Sequence, residues 1–151
     1  MVETDLLVVH RDAEGAEPAE RTDEIQRALS ASDVPVPSVP LVPVRMTEAW
    51  LLSDDRAIRM AAGNPNGTQP LSLPRIRDLQ SLPDPKQLLA NLLIDAAGLN
   101  ARRRDSFDTK QAAQSVSRFT ADFSALRQLD AFLQFEERLR QALDQLPLAP
   151  R

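Results

Sequence analysis

Proline sets the tightest limit on how this chain folds. Twelve prolines stand against four glycines in 151 residues. Those at Pro35, Pro37, Pro40, Pro43, Pro65, Pro70, Pro74, Pro83 and Pro85 fall in its middle. Each fixes φ and removes a backbone donor, so that region holds only short elements. Ahead of it, Leu6, Leu7, Val8 and Val9 form an apolar run too short for a helix. The run predicts a strand buried on both faces, as in parallel sheets. Pro18 then suits a helix first turn. Ile25, Ala28 and Leu29 supply one apolar side, which predicts an amphipathic helix over residues 18–30 with Glu20, Arg21, Asp23, Glu24 and Arg27 on a solvated outer face.

After the connector 32–38, residues 39–44 read as a second strand. Pro40 and Pro43 favour an edge position or a bulge for it. Strand, helix and strand in about forty residues make a right-handed parallel βαβ unit. Two strands alone make a poor sheet, so further strands or a partner chain are expected to complete it.

The remainder reads as helical. Short helices are expected over residues 47–52 and 55–62, then a loop over 64–74 and a helical turn over 75–81. Asp84, Pro85 and Gln87 are a helix-start signal, and Leu88, Leu89, Leu92, Leu93 and Ala96 follow as an apolar face up to Gly98. Asp108 and Gln111 repeat the signal for a helix through Val116 and Phe119. Leu129, Phe132, Leu133, Phe135, Leu139, Leu143 and Leu146 mark a long final helix over 124–146, its stripe read as core packing. The fold class is α/β: a small partial parallel sheet followed by a mostly helical C-terminal half. The expected organisation is a single domain, with a core over 1–52 and a helical extension over 53–151.

Composition narrows the function classes. Eighteen basic and 22 acidic residues give a net charge of −4, which opposes broad non-specific affinity for nucleic acid but leaves room for a local basic patch. The absence of cysteine excludes disulfides, thiolate metal sites and cysteine nucleophiles. The acidic N-terminus, with its four-residue apolar run, resembles neither a signal peptide nor a membrane span, so a soluble cytoplasmic protein is expected. Ser106, Ser117 and Ser124 have no histidine partner pattern for a serine nucleophile. The segment Gly63–Gly67 has no lysine and follows no strand, so it is not a phosphate loop.

Both strands of a parallel βαβ unit end on the same edge. Asp12 and Glu14 follow the first strand and Glu48 follows the second at a helix start, so three carboxylates are expected at one crevice. Such oxygen donors suit a hard ion such as Mg²⁺. The plainer reading is that loop acids are solvated and that Glu48 is favoured by the helix dipole. His10, the only histidine, reads as a strand-end residue or as a further ligand. Arg45 is a candidate partner for an acid or a phosphate, and Arg102, Arg103 and Arg104, in a loop with Asn100 and Ser106, are candidate phosphate contacts. Trp50 reads as core.

The run HRDAEG, His10 to Gly15, resembles the Asp-x-Asp-x-Glu-Gly pattern of Toprim domains, found in topoisomerases, primases and some nucleases. More of the chain, including LLVVHRDAEG, PVRMTEAWLL, AAGNPNG, LPDPK and FSALRQLDAFLQFEERLRQAL, is similar to a bacterial family of unknown function with a Toprim-like core, often encoded beside ATPases in phage-defence settings. That similarity covers nearly the whole chain, and the motif MTEAWLL is its most specific part. The resemblance implies a Mg²⁺- or Mn²⁺-dependent phosphodiesterase or nuclease acting in phage defence or DNA metabolism. In it Asp12, Glu14 and Glu48 would be catalytic and metal-binding, with His10 a further ligand, and Arg45, Arg102, Arg103 and Arg104 would contact nucleic acid. Two departures bear on this. His10 replaces the first aspartate, and histidine suits manganese or zinc better than magnesium. Toprim domains also carry a glutamate after an earlier strand, which the residues ahead of His10 do not supply; Glu3 precedes the strand and falls at the wrong edge. The alternative is a non-catalytic module that docks on an ATPase partner or on a second copy.

Overall fold

The computed structural model describes residues 5–45 and 47–146. Glu3 and Met46, the latter part of the MTEAWLL motif, lie outside the described residues. The chain divides into two compact units, one from the described parts of Met1–Val44 and Leu129–Arg151, the other from Arg45–Gln128. The fold is α/β, with a two-stranded parallel sheet and otherwise mostly helix.

In the first unit, β1 (Leu7–His10) and β2 (Ser38–Leu41) are joined by α1 (Pro18–Ala31), as the βαβ pattern predicts. Leu7 faces Ser38, Val8 faces Val39, Val9 faces Pro40 and His10 faces Leu41. The Leu7 N–H donates to the Pro37 carbonyl (2.9 Å) and the Arg11 N–H to the Leu41 carbonyl (3.1 Å). Backbone groups alternate sides along a strand, so odd-numbered residues of both strands turn theirs into the ladder and even-numbered residues turn theirs away. Pro40 therefore lacks its N–H on the side away from β1, and a proline inside β2 removes no bond from the sheet.

Burial corrects one expectation. β1 is not enclosed on both faces: its residues alternate between half-buried and exposed, and Val8 is 44% exposed. The enclosed strand is β2, whose Val39 and Pro40 are buried. The reason is that α1 packs chiefly on β2, as does the C-terminal helix α7 (Asp130–Asp144, counted after the helices of the second unit). Ala13, Ile25 and Val42 form a small core with Val9 and Leu29 against it. On α7, Phe132 meets Phe135 edge to face at 6.4 Å. The Arg138 Nη1 donates to Thr22 Oγ1 at 3.3 Å, tying α7 to α1.

The second unit contains α2 (Glu48–Leu51), α3 (Asp55–Ala61), a 3₁₀ segment Ile76–Ser81, α4 (Pro85–Ala97), α5 (Ala101–Arg104), α6 (Thr109–Phe119) and a second 3₁₀ segment Ser124–Gln128. Leu52, Ile58, Leu79, Leu89, Leu93, Val116 and Leu126 are almost fully buried. Trp50, 7% exposed, is core as expected. The start signals act as read: Asp84 accepts from the Gln87 N–H (2.9 Å) and Asp108 from the Gln111 N–H (2.9 Å). Gly98 ends α4 in the left-handed conformation. The expected final helix over 124–146 is instead broken: buried Leu129 is extended between the second 3₁₀ segment and α7. The boundary between the two units falls at this residue.

The AAGNPNG segment is a latch within the second unit. Asn64 Nδ2 donates to the Ala96 carbonyl at 2.9 Å, pinning the end of α3 to the end of α4. A Cβ at Gly67 would stand 2.6 Å from that same Nδ2. Gly67→Ala should therefore displace the Asn64 amide and cost about 1 kcal/mol in urea-induced unfolding. In an Asn64→Ala background the same substitution should cost almost nothing, which a double-mutant cycle measures directly.

Candidate functional site

The site is built on the carboxyl end of β1. The ladder runs on past the strands, since the Ala13 N–H donates to the Pro43 carbonyl at 3.0 Å. Pro43 has no N–H, so it serves this contact as an acceptor only. The chain then reverses, with the Ala16 N–H donating back to the Ala13 carbonyl at 2.9 Å. The two central residues of that turn, Glu14 and Gly15, have φ of +51° and +87°. Both values fit a type I′ turn, which glycine tolerates at no cost and glutamate does not. Fully buried Ala13 closes the corner against Ile25 and Val42, leaving Glu14 exposed on the turn.

Alternation divides the side chains of this loop. Arg11 and Ala13 lie on the side of α1, and His10 and Asp12 point the other way. His10 Nε2 and Asp12 Oδ1 stand 3.1 Å apart. On the helix side, Arg11 Nη1 meets Glu24 Oε1 at 2.5 Å, and Arg21 Nη1 donates to Glu24 Oε2 at 2.9 Å. The Arg21 Nε also reaches the Ala13 carbonyl at 3.5 Å. The hydrogen bond from Arg21 is the main cause holding the Glu24 carboxyl below its usual range; desolvation opposes it, and the charges of Arg11 and Arg21 and the hydrogen bond from Arg11 add to the lowering. The result is a charged brace from the loop to α1.

Sequence reasoning missed this brace, because it placed Arg21 and Glu24 on a solvated face. The one legible signal was their i,i+3 spacing on a helix. Their link to Arg11 depends on how α1 lies against the loop.

The expected site residues fall as follows. The structure brings His10 and Asp12 together and places Glu14 on the adjoining turn. Glu48, half-buried, is the first residue of α2 and belongs to the second unit. That helix spans four residues, so the dipole argument for Glu48 loses its force: too few peptide units are aligned. Among the described residues, no group of three or more His, Asp or Glu side chains is arranged to hold a metal ion. Arg45 is exposed. Arg102, Arg103 and Arg104 are exposed but occupy the short helix α5 rather than a loop. The Asn100 side chain accepts from the Arg103 N–H (3.2 Å) and caps it, a role the loop reading overlooked. Arg104 turns back to the Leu99 carbonyl (3.3 Å), which leaves Arg102 and Arg103 as the more outward pair.

No family model matches the chain, and no curated protein or solved structure matches it. Among the described residues no helix is long and apolar enough to cross a membrane.

The brace makes a pH prediction. A carboxylate with a lowered folded-state pKa adds stability above its unfolded pKa and loses it as pH falls through the lowered value. Wild type should therefore exceed Glu24→Gln in Tm at pH 7. The gap should close as pH drops below 4.5, the ordinary glutamate value, and vanish once Glu24 is protonated in both states. A series of thermal melts from pH 7 to pH 2.5 reads this directly.

Proposed function

We propose that this chain is a Toprim-like phosphodiesterase that depends on a divalent cation and acts on nucleic acid. The observation that carries the reading is the His10–Asp12 pair at the carboxyl end of a parallel strand, where open α/β proteins bind their ligands. Its 3.1 Å separation is close to the roughly 3.0 Å between neighbouring ligands around an octahedral ion with bonds of about 2.1 Å. The pair is thus spaced to hold one cation through His10 Nε2 and Asp12 Oδ1. Imidazole beside carboxylate favours Mn²⁺ over Mg²⁺. Two protein ligands suit an ion that keeps several waters and meets the substrate's phosphate oxygens.

When bound, such a cation supplies charge neutralisation at the phosphate and an activated water. The chain's own contribution is orientation. Arg11, Arg21 and Glu24 hold the loop against α1, and the Ala13–Pro43 bond holds it to the exit of β2. Glu14 and Glu48 are the further carboxylates of this reading, and Arg45, Arg102, Arg103 and Arg104 its phosphate contacts. Because the net charge is −4, affinity for nucleic acid rests on the cation and these local arginines. The setting that the resemblance implies is phage defence or DNA metabolism, beside an ATPase partner.

Calorimetric titration with MnCl₂ tests the reading. Binding should weaken at least tenfold in His10→Ala and in Asp12→Asn, and Mn²⁺-dependent cleavage of nucleic acid should be lost in Asp12→Asn. No binding above background, or binding unchanged in both His10→Ala and Asp12→Asn, sinks the proposal.

A further inference from the structure

Among the described residues the outer edge of β1 carries no strand, since the sheet there consists of β1 and β2. The even-numbered backbone groups of β1, Val8 among them, point out along this edge. Val8 itself is 44% exposed, which is unusual for a valine in the middle of a strand. Beside the edge lies a groove of about 300 Å³, whose apolar lining is Val9, Ile25, Ala28 and Leu29. It is open because α1 packs chiefly on β2 rather than over β1. The other edge of the sheet is closed to strand addition at Pro40, which has no N–H to offer there.

From this edge we infer that two copies of the chain pair through β1, antiparallel about a two-fold axis at Val8. The sequence around the edge selects that register. Outward-facing groups must meet outward-facing groups, which an axis at any residue from Leu6 to His10 allows. An axis at Leu7 sets Asp5 against Val9, and one at Val9 sets Leu7 against Arg11. An axis at Leu6 sets Asp5 against Leu7. An axis at His10 sets Val8 against Asp12 and Val9 against Arg11. Only the axis at Val8 sets Asp5 of one copy opposite Arg11 of the other, Leu7 opposite Val9, and Val8 opposite itself.

Opposite charges and apolar pairs directly across a ladder stabilise it, and mismatched ones oppose it. Arg11 already holds Glu24, but a guanidinium has five donors and can accept a second carboxylate. Leu7 of the second copy would lie beside Val9 on the α1 side, over the apolar groove. The product is a four-stranded sheet in the order β2, β1, β1, β2, which exceeds the strand number below which a sheet is marginal. This pairing does not depend on cation binding by the loop.

The absence of cysteine makes the test clean. Paired residues of this kind have Cα atoms about 5.5 Å apart, within disulfide range. A single cysteine introduced as Val8→Cys should form a cross-linked dimer under mild oxidation. Ser30→Cys, on exposed α1 away from the edge, should cross-link at least tenfold more slowly. Sedimentation equilibrium should show a dimer for the unmodified chain, weakened about tenfold by Asp5→Arg, which replaces two attractive pairs with repulsive ones. Circular dichroism of each variant confirms that these exposed substitutions leave the fold intact. A chain that stays monomeric at every concentration overturns the inference, as does cross-linking at position 8 no faster than at position 30. A dimer indifferent to Asp5→Arg also overturns it, because it would be made by another face or register.

Discussion

The parallel ladder between β1 and β2 is the interaction on which the first unit depends. It brings residues about thirty positions apart into register and runs on beyond both strands, to Arg11 with Leu41 and Ala13 with Pro43. That extension turns the segment after β1 into a positioned loop. The prolines around β2 are compatible with it because of parity. Pro37 and Pro43 lend carbonyls to the ladder, and Pro40 turns its missing N–H away from it. A shift of β2 by one residue would aim Pro40 into the ladder and lose a bond, so the prolines also help to specify the register.

The second unit is held by different means. Its elements are short, and their ends are satisfied locally by Asp54, Asp84, Asn100 and Asp108, each accepting a backbone N–H three residues on. Packing then joins them through fully buried Ile58, Leu89, Leu93 and Val116 on α3, α4 and α6. Short capped elements are what a proline-rich stretch permits. Asn64 compensates for the irregular segment between α3 and α4 by satisfying a helix-end carbonyl of α4.

Around the loop after β1, charge does the orienting. Arg11, Arg21 and Glu24 occupy one side of the strand direction, His10 and Asp12 the other. A loop acid without such neighbours would sample many positions and gain little as a ligand, because ordering it costs conformational entropy. The brace lies in the folded framework before any ligand arrives, which is the condition for a preorganised site. The proposed cation chemistry and the proposed pairing of two copies share β1 but draw on different parts of it: the carboxyl end for one, the outer edge for the other.

Local pattern determined much of this protein directly. The strand–helix–strand order, the helix starts at Asp84 and Asp108, the helix end at Gly98 and the buried place of Trp50 were all legible, because caps, proline positions and apolar periodicity act within a few residues of themselves. Tertiary structure decided the rest. It left β1 half open although Leu7, Val8 and Val9 are as apolar as any buried strand, because α1 and α7 both pack on β2. It broke the final apolar stripe at Leu129, where the chain passes from one unit to the other. It drew Arg21 and Glu24 from a seemingly solvated face into contact with Arg11. Each of these outcomes depends on which surfaces meet across long separations in the chain, and no window of a few residues carries that information.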